Sequence, residues 1–147
     1  MAKVLKLGIA KNENQKIQEV QDVDVLIGKG IVGDRHFKEN NDLRNQITLI
    51  ESENIDFYNK KFNTVYAYLD FRRNIVTKGI QLNEMIGKKL LIGNIEIKGH
   101  DLCRPCKHLE ENLNGKDIVK EFLRKGGLRC EILISGKIIT GDEIKII

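Results

Sequence analysis

The sequence predicts a mainly β fold, a β barrel with a few peripheral α-helices. Three observations carry that reading. Short apolar runs recur with strand-like alternation, tight glycine-bearing turns separate them, and the regular strand–helix alternation of a parallel doubly wound sheet is missing. At 147 residues the chain is long enough to bury its own core, and residues 1–147 are expected to form one domain.

The elements follow in order. Val4 to Ala10 alternates Leu5, Leu7 and Ile9, and Lys16 to Leu26 alternates less strictly after an Asn12-Glu13-Asn14 turn, which together predict an opening antiparallel pair. Gly28-Lys29-Gly30 and Gly33-Asp34 punctuate a loop with a polar tip over Lys38 to Asp42. Gln46 to Ile50 reads as a short strand leading into a helix over Glu51 to Phe62, whose apolar face is Ile55, Tyr58 and Phe62. Arg73 to Thr77 is a further strand. Leu90 to Ile92 and Ile95 to Ile97 flank Gly93-Asn94, a two-residue hairpin signal. Leu109 and Leu113 stand at helical spacing, and Ile118, Val119, Phe122 and Leu123 form a second helical stripe stopped by Gly126-Gly127. Leu128 to Ile134, Lys137 to Thr140 after a Gly136-Lys137 turn, and Glu143 to Ile147 close the chain as strands.

A net charge of +4 is mildly basic, and the cations fall in scattered short pairs such as Lys60-Lys61, Arg72-Arg73 and Lys88-Lys89. With aromatics at 5% and no Trp, stacking platforms for single strands are scarce, so a nucleic-acid partner is not expected. Neither a signal-peptide pattern nor an apolar run of transmembrane length occurs, which argues against a membrane partner. Three cysteines form no even framework, and a domain of this size needs no staple, so a reducing cytoplasm is the expected compartment.

The segment richest in chemistry is His100-Asp101-Leu102-Cys103-Arg104-Pro105-Cys106-Lys107-His108, which holds two of the three cysteines, two of the three histidines and the only proline. Pro105 restricts the backbone between the thiols, and the helical spacing that follows places Cys106 at or near a helix N-terminus. There the helix dipole, with Arg104 and Lys107, favours a thiolate. Cys103-x-x-Cys106 is open to several readings: a redox pair, half of a structural zinc site, a single functional thiolate at Cys106 with Cys103 accessory, or a pair of inert buried thiols. The hairpin before it is the wrong context for a thioredoxin-like pair, and no second ligand pair at zinc spacing is present. Cys130, in a strand-like run, reads as buried packing. Gly33-Asp34-Arg35-His36 offers a carboxylate, a guanidinium and an imidazole, able to hold a heterocycle and an anion, or equally a turn in which Asp34 caps backbone amides. Arg72-Arg73-Asn74, just before an apolar strand, offers guanidinium donors to a phosphate or else is solvated strand-end charge, and His36 is a candidate general acid or metal ligand. His100 and His108 are expected at the surface or behind the site.

Taken in order, these motifs resemble the MOSC domain, found at the C-terminus of molybdenum-cofactor sulfurases and in small stand-alone proteins. The resemblance runs through Gly33-Asp34-Arg35-His36, Asn45 to Ile50 with Glu53, Arg72 to Ile80, Gly87 to Gly93, Arg104 to Leu109, Gly127-Leu128-Arg129 and Gly136 to Asp142. It implies a β-rich barrel with a pocket for a molybdenum-bound pterin, the molybdenum cofactor. The family's signature cysteine falls on Cys106, which makes it the implied metal ligand and catalytic residue. Asp34, His36, Arg44, Thr48, Arg73, Asn74 and Arg129 are the implied cofactor-binding residues, with Arg73 or Arg44 suited to a terminal phosphate. Cys130 stands where the family more often has a small glycine, and Cys103 is not part of the general pattern. Three functions follow as alternatives: a reductase of N-hydroxylated compounds, supplied with electrons by a separate donor protein; a carrier of cofactor or of sulfur as a Cys106 persulfide, serving a cofactor-using enzyme; and a zinc-stabilised structural domain.

Overall fold

The computed structural model describes residues 1–105 and 107–147. Its elements are β1 (Lys3–Ile9), β2 (Gln18–Val20), β3 (Asp22–Leu26), β4 (Gly30–Ile31), β5 (Ile47–Glu51), α1 (Ser52–Phe62), β6 (Ile75–Lys78), β7 (Lys89–Ile92), β8 (Ile95–Leu102), α2 (Lys107–Leu113), α3 (Ile118–Glu121), β9 (Leu128–Ile134), β10 (Gly136–Ile139) and β11 (Ile144–Ile146). Two 3₁₀ turns, Tyr68–Phe71 and Leu82–Met85, lie beside them.

The strands make an eight-stranded sheet ordered β11-β7-β8-β9-β5-β6-β1-β2 and a three-stranded sheet ordered β10-β3-β4. Pairing is antiparallel except between β5 and β6, which run parallel because α1 carries the chain back across the sheet. The mainly β expectation holds, whereas the closed barrel does not. β11 meets β1 through one isolated bridge, Lys3 with Glu143, rather than through a continuous ladder. Three main-chain hydrogen bonds reinforce that seam: Val4 N to Asp142 O at 2.8 Å, Gly141 N to Val4 O at 2.9 Å and Ile144 N to Ala2 O at 2.9 Å.

The Gly93-Asn94 hairpin forms as read, with Ile92 opposite Ile95. Two expectations fail locally. The second half of the opening pair divides at Gln21, since β2 stays with β1 while β3 joins the smaller sheet. Gly136-Lys137 is strand rather than turn, and the chain changes sheets at Ser135, whose Oγ accepts the Ile27 amide at 2.7 Å. Glycine is required at 136 by packing, because a Cβ there would lie 2.6 Å from the Ile95 side chain.

One core fills the space between the sheets and includes Leu49, Ile75, Ile97 and Ile132. A second lies outside the large sheet, where α1 presents Ile55 and Tyr58 to Phe71, Ile118 and Phe122. Phe71 and Phe122 stack at 4.7 Å between centroids, and the Tyr58 hydroxyl donates to the Lys116 carbonyl at 2.6 Å. Each such buried aromatic contributes about 1.5–3 kcal/mol, which fixes two short helices that have little stability alone. Leu109 and Phe71 belong to this cluster and also face the cavity described next, so the outer core sets the position of α2 against the site.

Candidate functional site

A cavity of about 550 Å³ opens where seven segments meet, α2 among them with His108, Leu109 and Asn112. Glu13 comes from the β1–β2 loop, Arg35 and His36 from the loop after β4, Phe71 to Arg73 from the approach to β6, Cys103 and Arg104 from the end of β8, and Thr48 and Arg129 from paired positions on β5 and β9. Among the described residues its walls carry five arginines, at positions 35, 72, 73, 104 and 129, against a single carboxylate, Glu13. An unbalanced set of guanidiniums around a hollow is a receptor for an anion.

The arginines differ in how far they are committed. Arg35 donates from Nη1 to Asp34 at 3.2 Å and from Nη2 to the Arg72 carbonyl at 3.1 Å. Its side chain is only 6% exposed, and its Nε is buried without a hydrogen-bond acceptor, Glu13 Oε2 standing off at 3.7 Å. Arg72 adopts a left-handed backbone (φ 65°), a conformation costing about 1–3 kcal/mol outside glycine. From there its guanidinium grips the Gln15 and Glu13 carbonyls at 2.7 and 2.8 Å, and burial lowers its pKa. Arg73 spends Nε on the Gly126 carbonyl at 2.9 Å, and Arg129 spends Nη1 on Asn45 Oδ1 at 2.8 Å. No other hydrogen bond from either guanidinium occurs among the described residues.

The residues expected from the sequence divide into two groups. His36, Thr48, Arg73 and Arg129 line the cavity. Burial first, and then the Arg35 charge, lower the His36 pKa, against the raising influence of Asp34 and Glu13. Asp34, Asn74 and Arg44 do not line it. Asp34 is buried and accepts from the Ala10 amide at 3.1 Å, the His36 amide at 3.3 Å and Arg35, so it shapes the loop as a capping carboxylate. Asn74 is a buried joint between strands: its Oδ1 accepts from Thr48 N and Thr48 Oγ1, both at 3.2 Å, and its Nδ2 donates to the Gly8 carbonyl at 3.1 Å. Arg44 is exposed and opens onto a neighbouring hollow. Cys106, the expected metal ligand and catalytic thiolate, lies outside the described residues. Among the described residues no group of three or more His, Cys, Asp or Glu side chains is arranged to hold a metal ion.

The remaining thiols are buried. Cys103 lines the cavity, and burial raises its pKa in spite of Arg73 and Arg129. Cys130 sits in the main core, as its strand-like context suggests, and burial raises its pKa strongly. The pair Gly126-Gly127, read from sequence as a helix stop, also builds the site. Gly126 accepts from Arg73, and the Gly127 carbonyl accepts from the Cys103 amide at 2.7 Å. At Gly127 (φ 113°) a side chain would collide with the Leu49 carbonyl.

Sequence reasoning missed Glu13, Asn112 and the cavity-facing position of His108. The signal for the last two was present: positions 108 and 112 are one turn apart and so share a face of α2. Nothing local marked Glu13, which reaches the site only through the loop that Arg72 holds. His100 stays apart, its Nε2 at 2.8 Å from Glu131 Oε1. No helix among the described residues is long and apolar enough to cross a membrane.

A model of the MOSC domain matches residues 32–145. Among solved structures, the YUAD protein from Bacillus subtilis is similar over 99% of this chain and 94% of its own, with a TM-score of 0.85 and 21% identity. YiiM from Geobacillus stearothermophilus matches 100% of this chain and 75% of its own, with a TM-score of 0.79 and 15% identity. YiiM from Escherichia coli matches 99% and 68%, with a TM-score of 0.71 and 16% identity. At these identities the likeness is one of fold. No curated protein matches the sequence.

Proposed function

This chain belongs to the MOSC domain family, and from that premise we propose that its arginine-lined cavity binds the molybdenum cofactor and that the loaded protein reduces N-hydroxylated compounds. The observation that carries the reading is the charge imbalance of the cavity, five guanidiniums to one carboxylate. The buried Arg35 Nε, without an acceptor, supports it further.

The donor set suits a pterin that ends in a phosphate. Arg73 and Arg129, each with one nitrogen spent on the protein, would hold the phosphate through their remaining donors. Thr48 and His36 would meet the ring system, and Cys106 would offer the soft ligand that molybdenum prefers. When bound, the molybdenum would supply a centre that accepts an oxygen atom and changes oxidation state by two electrons. The chain's own residues do the rest. His36, whose pKa burial and the Arg35 charge lower, carries one N–H and one lone pair in its neutral form and turns Nε2 towards Glu13 on the cavity wall. Asp34 fixes the loop that carries it, and Phe71 and Leu109 keep one wall dry. Electrons would come from a separate donor protein.

Exposed Arg104 and His108 at the mouth favour a second reading, in which the cavity hands cofactor or persulfide sulfur to an enzyme rather than turning over. Protein made in a cofactor-competent host tests both. Molybdenum and pterin fluorescence near one equivalent, both falling in Arg73→Ala, are expected. Turnover of an N-hydroxylated base with an electron donor, lost in Cys106→Ser, separates reduction from carriage. Purified protein with neither molybdenum nor pterin would overturn the reading.

A further inference from the structure

Glu13 is the one carboxylate among the described residues that line the main cavity, and it faces a buried cation there. Its Oε2 lies 3.7 Å from Arg35 Nε and its Oε1 lies 3.5 Å from His36 Nε2. Both distances are longer than a well-formed hydrogen bond. The Arg35 side chain is 6% exposed and that of Glu13 is 71% exposed. Asp34 and the Arg72 carbonyl fix the other end of the Arg35 guanidinium, which leaves Nε as the buried donor without an acceptor among the described residues. The cation is thus held, whereas the carboxylate has solvent to move into.

The main chain under Glu13 is held as well. Arg72 donates from Nη1 to the Gln15 carbonyl at 2.7 Å and from Nη2 to the Glu13 carbonyl at 2.8 Å, and the Gln15 amide closes a turn on the Asn12 carbonyl at 3.1 Å. A charged group on so short a tether meets its partner at an effective concentration on the order of millimolar, and so competes with a free ligand. We infer that Glu13 is a displaceable latch: its carboxylate covers the Arg35–His36 corner of the cavity, and an incoming oxyanion takes its place. Arg73 and Arg129, each with one nitrogen spent on the protein, give the oxyanion contacts that Glu13 does not make. Displacement of Glu13 rests on the cavity being an anion receptor, as the proposed function has it, and not on which cofactor fills it.

Calorimetric titration with sulfate at pH 7.5 and constant ionic strength tests the latch, on the full chain made in a host without the cofactor. Glu13→Gln should tighten sulfate ~3–10-fold, the scale of one or two exposed ion pairs that no longer have to be broken. Glu13→Asp separates displacement from repulsion at a distance. It keeps the charge on the turn but is one methylene short of Arg35 and His36. Displacement predicts that Glu13→Asp tightens sulfate nearly as much as Glu13→Gln, whereas repulsion alone predicts that it binds as the unaltered protein does. That second result overturns the latch, as does unchanged or weaker binding in Glu13→Gln. Failure of sulfate to bind all three proteins overturns the latch and the anion receptor together. Tightening in both variants, alongside protein that gains no molybdenum in a cofactor-competent host, upholds the latch and removes the cofactor reading alone.

Discussion

Replacing Asn74 by alanine tests whether this residue is a joint between strands rather than a ligand contact. The substitution removes the acceptor of the Thr48 amide and hydroxyl, and the donor to the Gly8 carbonyl, all at a fully packed point between β5, β6 and β1. Two main-chain groups are then left buried without partners, at about 1–3 kcal/mol each. The space vacated by an amide is large enough for one water, which offsets part of that loss. The expected destabilisation is therefore about 2–4 kcal/mol, a substantial share of the 5–15 kcal/mol typical of a domain. At about 2–4 °C per kcal/mol for a chain of this size, the melting temperature should fall by roughly 5–15 °C. Urea titration followed by far-ultraviolet circular dichroism gives the free energy, and sulfate affinity is measured on the fraction still folded. A loss below about 1 kcal/mol, accompanied by a tenfold loss of sulfate affinity, would refute the argument and return Asn74 to the ligand-binding set.

Further outcomes follow from the titrating groups. His36 has its pKa lowered in the folded protein, so the unfolded chain takes up the proton first. Its contribution to stability is present above the ordinary histidine value of about 6.5 and is lost as the pH falls below it. Once protonated, the same residue adds a positive charge to the cavity, so sulfate, whose own charge is constant in this range, should bind more tightly as the pH drops through that lowered value. His36→Gln should flatten both profiles, and an unchanged sulfate profile in that variant would exclude His36 from the site. For the buried thiols, iodoacetamide at pH 7.5 should leave Cys103 and Cys130 unmodified in native protein and alkylate both in urea, as read by mass spectrometry. Rapid native alkylation of Cys103 would contradict its burial.

Much of the fold was legible because its signals are local. Gly93-Asn94 between two alternating apolar runs can only be a tight hairpin, and the Ile55, Tyr58 and Phe62 spacing can only face one side of a helix. Sheet membership was not legible. Lys16 to Leu26 reads as one strand, and its division at Gln21 depends on β10 and β1, far away in sequence, each claiming a part. The site shows the same contrast. Arg73 and Arg129 are separated by fifty-odd residues, but each precedes or occupies an apolar strand, so their pattern marked them. Asp34 and Asn74 were marked by chemistry alone. Side chains with both charge or polarity and small size suit ligands and buried joints equally, and only their hydrogen-bond partners separate the two.

The seam between β1 and β11 has a consequence for how the chain comes to be folded. Its partners, Lys3 and Glu143, are nearly the full sequence apart, so no shorter loop has a costlier closure. Contacts of that span form late, after local hairpins such as β7–β8 are in place. During synthesis, β1 can pair with β2 and β6 long before its last neighbour exists. The amino-terminal strand therefore waits with part of one edge unpaired until Asp142, Glu143 and Ile144 emerge, and the large sheet is finished only when translation reaches them.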